Sequence, residues 1–112
     1  MRLTLLLLLV SFAAGAQQAQ HHEPKNLKLL QPSEIKEAMQ AFKTALGVKC
    51  TFCHVEGNFA SDDNHHKEIA RKMIEMTREI NGKFPDGKRH VTCYTCHRGA
   101  EEPATAPPAA GQ

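Results

Sequence analysis

"VKCTFCHVEGNFA", Val48 to Ala60, holds two cysteines two residues apart with a histidine directly after the second, and "VTCYTCHRG", Val91 to Gly99, repeats the spacing. All four cysteines of the chain, Cys50, Cys53, Cys93 and Cys96, fall in these two pairs. Four chemistries use cysteines at this separation: a structural zinc clamp, local disulfides, a redox dithiol and covalent attachment of haem. A zinc site would take the four thiolates and leave unexplained why His54 and His97 follow the pairs. Disulfides suit an exported chain but are equally indifferent to the histidines. A thioredoxin-like dithiol needs a βαβ pattern, which the sequence lacks. Haem attachment uses every residue of the motif. Two intervening residues put both sulfurs on one side of a tight turn, where they can bond the two vinyl groups of one porphyrin. The next residue then swings its imidazole under the iron. The pattern points to two haem c groups, bonded through Cys50/Cys53 and Cys93/Cys96, with His54 and His97 as axial ligands.

The flanks agree with this chemistry. In "MRLTLLLLLVSFAAGAQQAQ", Arg2 supplies a positive start, Leu3 to Ala14 an apolar run, and "AGA" a small-residue cleavage site. The reading is a signal peptide over 1–16, with an uncleaved anchor as the alternative, and a periplasmic location where haem c is attached. A polar leader follows over 17–25, then a dihaem domain over 26–103 and a disordered Pro/Ala-rich tail over 104–112. The chain is short at 112 residues, with no Trp, one Tyr and five Phe. A segment of this size buries little surface unaided and usually needs staples, metals or cofactors. With 14 basic against 12 acidic side chains and no basic tract, nucleic acid is excluded as a natural partner.

The remaining sequence is helical in period. In "SEIKEAMQAFKTALGVKC", Ser33 is placed to cap a helix after Pro32, and Glu34 and Glu37 suit its positive end. Ile35, Met39, Phe42 and Leu46 form one apolar stripe, and Gly47 stands where a helix ends in a left-handed turn. In "SDDNHHKEIARKMIEMTREING" the stripe is Ile69, Met73, Met76 and Ile80, with Asp62 and Asp63 near the start and Asn81 as the stop. An offset of 34 residues lays Ile35 on Ile69, Met39 on Met73, Phe42 on Met76 and Gly47 on Asn81, while the motifs are offset by 43. "GKFPDGKRH", Gly82 to His90, is the insertion between them. The expected fold is mainly α, a small multihaem c-type cytochrome built from two helix–turn–CxxCH units packed around two haems. One methionine at the matching place in each unit nominates Met39 and Met73 as sixth ligands, against ordinary core packing as the alternative. Met76, one turn from Met73, is its substitute, although its counterpart Phe42 cannot ligate. His65, His66 and His90 read as solvated, and His21 and His22 as incidental.

"ALGVKCTFCH", "FASDD", "IARKMIEMTREIN" and "VTCYTCHRG" together resemble the tetrahaem cytochrome c subunit of bacterial photosynthetic reaction centres, over about Asn26 to Pro103. The resemblance implies the helix–turn–motif plan and mostly His/Met ligation, with methionines at the places of Met39 and Met73. That family carries four haems, whereas this chain has motifs for two and looks like one two-haem half. A family histidine in the loop before a motif can ligate a haem of the other half; His90 lies closer to the cysteines, and that role is not carried over. The implied function is one-electron transfer and not catalysis, between a redox protein donor and acceptor or within a membrane-bound electron-transfer complex. The half-length match also raises a homodimer that rebuilds a four-haem row. The alternative is a haem enzyme, a peroxidase or small-oxyanion reductase, working at one five-coordinate iron. Arg98, next to His97, faces either a haem propionate or solvent.

Overall fold

Helix starts, stops and one close backbone contact decide how this chain folds. The computed structural model describes residues 23–111; the expected signal peptide and leader residues 17–22 lie outside them. The helices are α1 (Ile35–Leu46), α2 (His65–Gly82) and α3 (Cys93–His97), with 3₁₀ turns at Pro32–Glu34 and Cys50–Phe52. Among the described residues the only β pairing is an isolated bridge between Val55 and Asn58. The mainly α expectation holds.

The first helical stretch starts two residues earlier than the Ser33 cap expected from sequence would place it. Pro32 takes the first helical position, where its fixed φ fits and its missing N–H costs nothing, so the cap moves upstream to Gln31. Glu34 Oε1 accepts from the Gln31 N–H at 3.0 Å, and the Glu34 N–H donates back to Gln31 O at 3.1 Å. The other end runs as expected. Gly47 adopts φ 67°, and its N–H donates to Lys43 O at 2.9 Å. A second demand also requires glycine here, because a Cβ at Gly47 would collide with the carbonyl oxygen of Gly99. Beside this contact the Gly99 N–H donates to Ala45 O at 2.8 Å. The last turn of α1 is therefore seated on the residues just after the second motif.

An asparagine stands near each end of α2. Asn64 caps its start, with Oδ1 accepting from the His66 N–H at 3.1 Å. Asn81 does not stop the helix, which runs on to Gly82. Its side chain instead gathers the end of the insertion: Nδ2 donates to Val91 O at 2.7 Å, and Oδ1 accepts from the N–H groups of His90 at 2.8 Å and Val91 at 2.9 Å. The residues leading into the second motif are thus tied to the last turn of α2. α3 then packs on both long helices, chiefly on α1. The helix of the first unit carries the motif of the second.

Little of this is a core. Ala45, at 2% exposure, is the only buried apolar residue among those described. The half-buried face of α2 carries Ala70, Ile74, Thr77 and Asn81. The apolar stripe lies one step further round the helix, leaving Ile69, Met73 and Met76 exposed. On α1 the stripe residues Ile35, Met39, Phe42 and Leu46 are half-buried. The N-terminal segment is held against α2 by polar contacts. Asp62 receives Arg71 at 2.9 Å, Asn26 Nδ2 at 2.9 Å and Lys28 at 3.2 Å, and Arg78 donates to Leu29 O at 2.8 Å.

Two outcomes follow from these contacts. Asn81→Ala removes three hydrogen bonds at once and should cost about 1–3 kcal/mol in urea unfolding followed by circular dichroism. The Arg71 guanidinium first, then Asn26, holds the Asp62 carboxyl well below the usual carboxylate range. A depressed folded value means that the contribution is present above about pH 4 and lost as pH falls further. Between about pH 4 and 2 the wild type should lose stability more steeply than Asp62→Asn in the same unfolding assay.

Candidate haem-attachment site

The first motif is a tight 3₁₀ turn. Phe52 N–H donates to Lys49 O at 3.0 Å, Cys53 N–H to Cys50 O at 3.3 Å and His54 N–H to Cys50 O at 3.0 Å. Asn64 Nδ2 donates to Phe52 O at 3.0 Å, so the residue that caps α2 also holds this turn. The second motif is one turn of α-helix. Thr92 N–H donates to Thr95 Oγ1 at 2.9 Å, and Thr95 N–H to Thr92 O at 3.1 Å. Arg98 at φ 52° and Gly99 at φ 87° end it, with the Arg98 N–H on Tyr94 O at 3.0 Å. The two units therefore share an order of elements but not a local form.

Each pair presents one half-buried and one exposed thiol, Cys53 with Cys50 and Cys93 with Cys96. Burial pushes the Cys53 and Cys93 thiols up. The two pairs also stay apart. Among the described residues no group of three or more His, Cys, Asp or Glu side chains converges closely enough to hold a metal ion. The four sulfurs do not form one tetrahedral clamp.

The two imidazoles are held alike. His54 Nδ1 lies 3.0 Å from Phe59 O, and His97 Nδ1 lies 3.1 Å from Ala100 O. A carbonyl can only accept, so Nδ1 carries the proton in both rings and Nε2 keeps its lone pair for a ligand. Metal-ligating histidines are oriented in this way. The His54 ring also stacks on Phe59, centroids 4.9 Å apart at 27°. Neither acceptor was visible in the sequence, because a backbone carbonyl carries no residue-type signature.

Beside the second motif there is room for a large group. A cavity of about 700 Å³ runs between α1 and α2 beside the second motif, lined by Ala38, Phe42, Ile74, Thr77, Cys93 and Tyr94 among others. Room of this order is typical of a cofactor pocket. Met39 and Met73 are not in that lining. Met39 is half-buried on α1, while Met73 and Met76, at 37% and 44% exposure, stand on the uncovered face of α2. Arg98 is exposed. The other histidines are engaged elsewhere. His66 stacks on Phe52 at 4.1 Å and His65 on His66 at 4.1 Å. His90 Nε2 is 2.9 Å from the Asp86 carboxylate, and its ring stacks on Phe84.

Residues 11–107 match the family described as the photosynthetic reaction centre cytochrome C subunit. The photosynthetic reaction center cytochrome c subunit of Thermochromatium tepidum is 44% identical over 87 residues, covering 71% of this chain and 21% of that protein. The corresponding subunit of Rubrivivax gelatinosus is 43% identical over 56 residues, 48% of this chain and 15% of that protein. Cytochrome c-554 of Chloroflexus aurantiacus is 39% identical over 74 residues, 61% of this chain and 18% of that protein. The chain spans about a fifth of the length of the curated relatives it matches.

Proposed function

The chain belongs to the photosynthetic reaction centre cytochrome c subunit family, and on that premise we propose that it is a periplasmic dihaem c-type cytochrome that carries single electrons. Cys50 and Cys53 would bond one haem and Cys93 and Cys96 the other. His54 and His97 would offer Nε2 to the haem irons, with Met39 and Met73 as the further ligands and Met76 in reserve for Met73. The bound groups supply the one-electron change; the polypeptide orients them, keeps water away and sets their potentials. A thioether opposite an imidazole favours the ferrous state, so both sites should lie comparatively high in potential.

One observation carries this reading. Each Cys-x-x-Cys pair is followed by an imidazole whose Nδ1 is already committed to a backbone carbonyl, leaving Nε2 free. With both irons closed by sulfur no substrate position remains, so the function is transfer and not catalysis. Donor and acceptor are redox proteins, in solution or within a membrane-bound complex. Among the described residues no helix is long and apolar enough to cross a membrane.

Acid acetone extraction of the chain purified from an exporting host should leave the red pigment on the peptide, with two haems per chain by mass. Loss of the pigment to the solvent refutes the assignment. Met39→Ala and Met73→Ala should each halve the ferric sulfur-to-iron charge-transfer band and lower one midpoint potential. Full intensity in both variants refutes the methionine ligands, and full intensity in Met73→Ala with half in Met76→Ala moves the role to Met76. Ready carbon monoxide binding by the wild type would mark the five-coordinate haem enzyme instead.

A further inference from the structure

The carbonyl that orients His54 is shared. Phe59 O accepts from His54 Nδ1 at 3.0 Å and also from Lys67 Nζ at 2.9 Å. Lys67 reaches it from the first turn of α2, and its ammonium is anchored by Ser61 O at 2.7 Å and Asp62 Oδ1 at 3.4 Å. Only 13% of its side chain is exposed, so solvent screens this charge less than a surface lysine. The second motif has no such arrangement. Ala100 O takes the His97 Nδ1 proton at 3.1 Å and, among the described residues, no other donor.

We propose that Lys67 is a positioning residue that makes the two haem sites unequal, by loading the carbonyl that holds His54. This rests on the functional reading above. A carbonyl oxygen that accepts from an ammonium has less electron density to offer a second donor. The His54 Nδ1–H bond to it weakens, the ring gains less imidazolate character, and Nε2 becomes a poorer donor to ferric iron. The nearby positive charge opposes the ferric state as well, with the same sign. His97, free of this competition, is the stronger donor. The first site is therefore the higher in potential, and an electron shared between the two rests on it.

The test uses the full chain with haem bound, counting haem first. Lys67→Met keeps most of the length without the charge, Lys67→Gln keeps a donor, and Lys67→Arg keeps the charge. Spectroelectrochemistry resolves two midpoint potentials, and nuclear magnetic resonance follows the His54 Nδ1 proton, assigned through the contact of its ring with Phe59. In Lys67→Met one potential should fall while the other stays, and the His54 proton should move downfield as its hydrogen bond strengthens. Lys67→Gln should show a smaller fall, and Lys67→Arg should restore both readouts. Asp62→Asn, which removes the counter-charge, should move the same potential upward. Unchanged potentials, or an equal fall in both, with two haems still attached, overturn the inference. A wild-type chain without covalent haem overturns the functional reading instead.

Discussion

Scarcity of buried surface is the constraint on which this molecule depends. One small side chain, Ala45, is buried among the described residues, and three of the four stripe residues of α2, Ile69, Met73 and Met76, are exposed. Hydrophobic burial is the main favourable term in folding, and a chain with this little of it would not stay ordered on secondary structure alone. The four thiols give it another route. Haem bonded through them would bring in the apolar surface that the side chains lack. Cofactor and core would then be the same object, which ties redox function to stability without a separate structural device.

What the polypeptide does build for itself is a frame. α2 is a rod with an asparagine at each end, Asn64 on the first motif and Asn81 on the approach to the second. Seventeen residues at 1.5 Å each set those ends about 25 Å apart along the helix axis. Side-chain amides suit this work because each offers a donor and an acceptor together, so one residue can cap a helix and grip a neighbouring loop. The polar cluster around Asp62 performs the same task for the N-terminal segment. Hydrogen bonds here do the positioning that packed side chains perform in larger domains.

Much of this was legible in the residues. The spacing and repetition of the cysteine–histidine motifs, the two apolar stripes and Gly47 as a helix end all carry side-chain signatures. Three features did not. Pro32 displaced the expected Ser33 cap, because a missing N–H outweighs a good capping hydroxyl at the first helical position. Asn81, read as a stop, is a clamp inside the last turn, since its amide has more to gain from the returning loop than from ending the helix. Nor did the repeat show that α1 would pack on the second motif. Tertiary pairings of this kind depend on backbone contacts, and the carbonyls that fix His54 and His97 are invisible for the same reason.

The touching glycines, Gly47 and Gly99, set the smallest piece of this architecture that can stand alone. A gene encoding the first unit alone would yield a helix whose final turn has nothing to rest on, and one encoding the second alone a motif with no floor beneath it. Duplication and loss in such a lineage should therefore proceed in pairs of motifs, and an odd number would require a new partner for that bare turn.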